Sequence, residues 1–179
     1  MTSAARYDPV EARALLARTP RVLDALLRDL PAAWLDCDEG AATWTPRQVV
    51  AHLIHGERTD WIPRARHLLE HGERAAWTPF DMGAHLRAQP RPVAALLDEF
   101  AALRRGNLDA FDALDLTPER LARRGRHPEF GAVTLAEHLA TWVAHDLSHL
   151  VQVERTMANR WREACGPWAR YLRVLGAPR

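Results

Sequence analysis

The chain has 179 residues, and its 24 basic residues, all of them Arg, nearly cancel 23 acidic ones, so no net field draws it to nucleic acid or an anionic membrane. The length and the 47% hydrophobic content fit one domain, 1–179, with one core. Cys37 and Cys165, far apart and outside any C-x-x-C arrangement, signal neither a disulfide framework nor a cysteine metal site.

The leading MTSAARYDPVEAR lacks the apolar stretch of an export signal, and no run approaches the roughly 20 apolar residues that cross a bilayer. Together with two free thiols this predicts a cytoplasmic protein. Along the chain, Asp8-Pro9 opens a helical stretch through Leu15 and Leu16. Thr19-Pro20 then starts the first long helix, on which Val22, Leu23, Leu26, Leu27 and Leu30 recur at helical spacing. Thr45-Pro46-Arg47-Gln48 is a capping box, in which Thr and Gln side chains satisfy each other's backbone amides. The second helix runs from there to about His71, where Gly72 ends it, with a kink expected at Pro63.

After a loop holding Trp77, Pro79, Phe80 and Asp81, Pro92 begins the third helix, whose apolar side is Val93, Leu96, Leu97, Phe100, Leu103, Phe111 and Leu114. Gly106-Asn107 should weaken it. A short turn follows Thr117-Pro118, then a loop from Arg126 to Gly131. Thr134 and Glu137 form a second capping box and open the fourth helix, expected to reach about Arg160. No segment alternates in the manner of a strand, so the pattern predicts no sheet, and an all-α, up-down four-helix bundle with short additional helices. The apolar tail, with Trp161, Trp168, Tyr171, Leu172 and Leu175, is expected to pack as a last short helix.

Nine histidines carry the chemistry. His67 and His71 fall in the last turn of the second helix, where His suits the carbonyl-rich end, and read as a solvated cap. His145 and His149, in HDLSHL, lie inside the fourth helix within about 40° of each other, so both can reach one ion. His138, Gln152 and Thr156 share their stripe, but His138 is about 10.5 Å from His145 along the axis, too far to join the same coordination sphere. On the second helix His52 flanks the arc of Val49, Val50, Leu53 and Trp61, whereas His55 points toward solvent. The ligand set is therefore His52, His145 and His149. Three imidazoles with an open position suit zinc, nickel or a similar divalent ion, able to activate water or a thiol.

Around them, Glu57 projects into an apolar arc and must meet an Arg, a His or the surroundings of the metal. Asp146 and Gln152 are placed to orient a ligand imidazole. Gly56 either leaves room beside His52 or permits close packing. Trp44 and Trp142 read most simply as core residues, although an aromatic near the seam could also form a substrate wall. His127, Cys37 and Cys165 receive no role.

Trp44-Thr45-Pro46 followed by AHLIHGE, and the later FGAVTLAEHLATWVAHDLSHLVQVER, resemble the DinB/YfiT-like family of metal-dependent enzymes. The likeness covers most of the chain. It implies a four-helix bundle in which one His of the second helix and an H-x-x-x-H pair of the fourth bind a divalent metal, here His52, His145 and His149. It also implies a range of activities that includes thiol S-transferases using mycothiol or bacillithiol. A thiol S-transferase acting on electrophilic small molecules is thus the leading expectation. A metal-dependent hydrolase is the alternative, although Asp146 is a poor counterpart to the Glu of H-E-x-x-H. The non-enzymatic alternative is a metal-binding stress-response module whose bundle face forms a homodimer.

Overall fold

The computed structural model describes residues 7–176. The reading of the first six residues as free of an export signal lies outside the described residues. Helix α1 (Pro9–Leu16) starts as its sequence predicts, with the Asp8 carboxylate accepting from the amides of Val10 and Glu11. Helix α2 (Thr19–Leu27) departs from expectation at its cap. Arg18, itself in helical conformation, holds the N-cap position and no side chain caps the helix. The chain enters α2 directly from the turn after α1, with the Arg18 amide bonded to the Leu15 carbonyl, so Thr19 never adopts the extended backbone a capping side chain needs.

A single turn, α3 (Ala32–Leu35), precedes α4 (Pro46–Thr59), whose Thr45–Gln48 capping box is fully formed. The break expected at Pro63 falls earlier, at Asp60 (φ −109°, ψ −80°), and separates α4 from α5 (Trp61–His71). The displacement has a steric cause: a proline lacks the N–H that would reach the carbonyl four residues back, and its ring crowds that carbonyl, here Thr59.

Helix α6 (Val93–Asp112) runs unbroken through Gly106-Asn107, contrary to the weakening expected there. The Asn107 amide instead donates to the Glu57 carbonyl at 2.8 Å and to its carboxylate at 3.0 Å, so a residue of middling helix propensity is held by tertiary bonds. After α7 (Pro118–Leu121) the prediction of no sheet is corrected. Strand β1 (Arg124–His127) pairs antiparallel with β2 (Gly131–Thr134), Arg124 opposite Thr134. Four-residue strands with glycine in each give no alternating pattern to read. Gly125 is required, because a Cβ there would stand 2.7 Å from Leu68 Cγ on α5.

Helix α8 (Leu135–Asn159) starts at the Thr134–Glu137 box. The tail forms 3₁₀ turns at Gly166–Tyr171 and Arg173–Leu175 rather than an α-helix, and only Leu175 packs inward. Trp161, Trp168, Tyr171 and Leu172 are exposed, correcting the expectation that they are core.

The four-helix bundle is all-α apart from the hairpin, and its neighbours are not the simple up-and-down sequence. Helix α6 packs principally on α2 and α4, and α8 on α1, α4 and α5. The α1–α2 unit thus lies diagonal to α4–α5, and α6 diagonal to α8. The core falls into two apolar clusters, one around Trp61, Leu68, Phe111 and Trp142, the other around Leu23, Val50, Leu53 and Phe100. Polar residues of α4, α6 and α8 lie between them. Among the described residues no helix is long and apolar enough to cross a membrane.

Candidate metal centre

His52 sits on the face of α4 that also buries Val49 and Leu53, and is 1% exposed. His145 and His149 are one turn apart on α8, which packs against α4. The consequence is convergence: His145 Nε2 lies 3.1 Å from His52 Nε2 and 3.1 Å from His149 Nε2, and one ligand atom from each residue falls within 4.8 Å of the others. No other group of three His, Cys, Asp or Glu residues comes together this way among the described residues.

The protonation pattern tests whether an ion fits. Burial, then the mutual repulsion of the imidazoles, pushes His52 and His145 down to about 3, and burial lowers His149 as well, so all three are neutral near pH 7. Gln152 Oε1 lies 2.8 Å from His149 Nδ1. Since the amide oxygen accepts, Nδ1 carries the proton and Nε2 presents its lone pair. His145 Nε2 has at most one proton for two neighbouring nitrogens, while Nδ1 of both His52 and His145 is buried without a partner. Self-association of the rings therefore leaves one of the two contacts without a hydrogen bond. A tetrahedral ion with about 2.05 Å bonds holds its nitrogen ligands about 3.3 Å apart, close to the two observed separations. The donor set fits a divalent metal ion.

Aromatic rings hold these imidazoles. Trp44 stacks on His149 (12° between planes) and lies 4.7 Å from the His52 ring, Phe80 meets His52 edge-on, and Trp61 meets His145 edge-on. Trp44 is half-buried and serves the site, whereas Trp142 is fully buried. The histidines open on a cleft of 330 Å³ walled by Trp61, Trp77, Phe80 and Phe130. Asp60 and Arg64 stand on its wall, as do Glu137 and Thr141. Burial pushes the Asp60 carboxyl up to about 6 against the pull of Arg64, whose Nη1 is 3.0 Å away.

The remaining sequence candidates sort as follows. Of the two residues expected to orient imidazoles, Gln152 does so and Asp146 does not: its carboxylate turns to Arg104 of α6, at 2.6 Å, because a buried guanidinium between the helices is the stronger partner. Glu57 meets the same guanidinium at 2.8 Å, an Arg being one of the partners expected for it. Gly56 serves packing, since a Cβ would lie 3.2 Å from the Trp61 Nε1. His138 is no part of the cluster: its Nε2 donates to the Trp61 carbonyl at 2.9 Å. His55 is not on the solvent side, because the loop before α6 folds over that face of α4 and brings Phe80 against its ring. His67 is half-buried, its Nε2 donating to the Ala75 carbonyl, so the solvated cap is only partly solvated. His127 Nδ1 accepts two amides of the hairpin turn, and both thiols are free and half-buried. Sequence reading missed His85, on a 3₁₀ turn (Ala84–Arg87), whose ring centre is 5.1 Å from that of His52. A lone loop histidine offers no periodicity by which to find it.

Comparison with known proteins agrees with this architecture. A protein of Oceanobacillus iheyensis, provisionally named a metal-dependent hydrolase, is 26% identical over 136 residues, covering 75% of this chain and 77% of its own. YfiT of Bacillus subtilis, described in the same provisional terms and as having an unusual four-helix-bundle topology, superposes with a TM-score of 0.74 at 22% identity, over 89% of this chain and 91% of YfiT. That likeness is one of fold. Residues 15–153 match the DinB superfamily, most of the chain, and the protein belongs to that superfamily.

Proposed function

We propose that the protein is a metal-dependent enzyme of small-molecule chemistry, in which His52, His145 and His149 hold one zinc or nickel ion. The leading reaction is transfer of a low-molecular-weight thiol, of the mycothiol or bacillithiol kind, to an electrophile. One observation carries this reading: three neutral Nε2 atoms converge at an aromatic cleft while the carboxylates of Glu57 and Asp146, on the same two helices, are engaged by Arg104. A bound ion supplies Lewis acidity that lowers the pKa of a thiol or water reaching it.

The protein's own groups supply the rest. Gln152 keeps the His149 proton on Nδ1, and Trp44 and Phe80 fix the imidazole planes. Trp61, Trp77 and Phe130 exclude water and receive an apolar electrophile. Hydrolysis is the second reading, favoured by Asp60. With its carboxyl at about 6 on the same cleft wall, it is suited to move a proton to or from a leaving group near neutral pH. The provisional names of the relatives support that alternative.

Assays of metal-loaded protein separate the two. Conjugation of chlorodinitrobenzene with one of several thiols, lost in His52→Leu, supports S-transfer. Inactivity with every thiol, combined with turnover of esters or amides that Asp60→Asn abolishes, decides for hydrolysis.

A further inference from the structure

A second cavity, of 210 Å³, lies beside α4 and α6 on the far side of His55 and His85 from the histidine cluster. It shares no lining residue with the first cleft. Its wall carries Arg47, Arg58 and Arg91, and Glu99 is its one carboxylate. Glu99 is shared by Arg58, at 2.6 Å, and by Arg91. Arg47 is taken up by Asp36, at 2.7 and 3.1 Å, and also donates to the Arg91 carbonyl. Two guanidinia on one carboxylate leave an uncompensated positive charge on this wall.

Behind the inner wall lie imidazole nitrogens without partners. His85 is 7% exposed and neither of its ring nitrogens has a partner. A neutral imidazole always bears one N–H, so His85 holds a buried proton that no acceptor in the chain meets. Nε2 of His55 is likewise buried and unpartnered. Buried polar groups of this kind are uncommon unless something outside the chain completes them. The surplus charge and the unmatched donor call for the same thing, an oxygen acceptor bearing negative charge.

We propose that this cavity binds a small oxyanion, the carboxylate or phosphate group of a small molecule, between the Arg58–Arg91 wall and His85. None of its residues is one of the three clustered histidines, and His85 packs on the His52 ring with centres 5.1 Å apart.

The test is calorimetric titration of inorganic phosphate, and separately of malonate, into the full chain at low ionic strength. Arg58→Ala/Arg91→Ala, His85→Ala and His52→Leu variants, each checked for native helicity by circular dichroism, are titrated alongside. Saturable binding of either anion that weakens at least about tenfold in the first two variants and survives in His52→Leu is the expected result. Which anion binds identifies the head group. Binding of neither anion, binding that both cavity variants leave unchanged, or binding lost in His52→Leu overturns the proposal.

Discussion

Two polar clusters are buried side by side in this bundle, joined at the adjacent residues His145 and Asp146, and they are completed in opposite ways. Arg104, 1% exposed, donates to both oxygens of Glu57, both oxygens of Asp146 and the Leu16 carbonyl, while Trp142 Nε1 and Asn107 also donate to Glu57. Burial pushes the Glu57 carboxyl above its ordinary range, and the Arg104 guanidinium opposes that shift. The imidazoles of His52, His145 and His149 have no counter-charge, crowd their Nε2 atoms together and leave two Nδ1 atoms unpartnered. A cluster that satisfies itself ties α1, α4, α6 and α8 together. A cluster that does not is arranged for something the chain lacks.

The contrast can be broken most sharply at Arg104. Arg104→Met leaves two buried carboxylates without their cation, and we expect a loss of about 3–5 kcal/mol in urea unfolding; a loss under about 1 kcal/mol would mean the cluster holds nothing together. The response to acid of metal-free protein tests the contrast in a second way. Burial holds His138 down to about 4, and His52 and His145 to about 3, against an ordinary 6.5. Below 6.5 the unfolded chain takes up protons that the native imidazoles refuse. Stability present above that pH is therefore lost as pH falls toward 4, His138 alone accounting for about 3 kcal/mol. A urea midpoint that stays flat over this window contradicts neutral burial.

Metal sharpens the comparison from the other side. Zinc at about a hundred times its dissociation constant should add about 2.7 kcal/mol to stability, reversed by a chelator, and should add nothing in His52→Leu. Gln152→Leu, which removes the acceptor of His149 Nδ1, should weaken zinc binding about 10–100-fold in a competition titration while leaving helicity intact. The smallest effect is the most discriminating. In metal-free protein His52→Leu should change stability by no more than about 1 kcal/mol, since it removes a buried unpartnered nitrogen and keeps the volume. A cost equal to that of Arg104→Met would make the histidine cluster a structural element like its neighbour.

The helices were legible because their signals are local. The Thr45 and Thr134 capping boxes and the 3.6-residue spacing of α4 and α8 lie within a few residues of each other. Those same periodicities put His52, His145 and His149 on inward faces. What escaped was set by distant parts of the chain. Glu57 and Asp146 found Arg104, whose 1% exposure no helical wheel of α6 alone can assign. The hairpin depends on Gly125 lying against Leu68, and the place of His55 depends on a loop that begins some twenty residues later. The tail failed for the converse reason, since Trp168 and Tyr171 have apolar composition but no helix to dock on.

The diagonal arrangement of the bundle carries a kinetic corollary. His52 and His145 are 93 positions apart, and the segment between them must lay α6 against α4 and cross to the opposite side before α8 can arrive. Contacts of such sequence separation form late, after much of the loop-closure entropy has been lost. Capture of an ion by the three imidazoles would therefore report completed assembly, and a rapid-mixing experiment that follows zinc uptake during refolding should see it lag behind the recovery of helix.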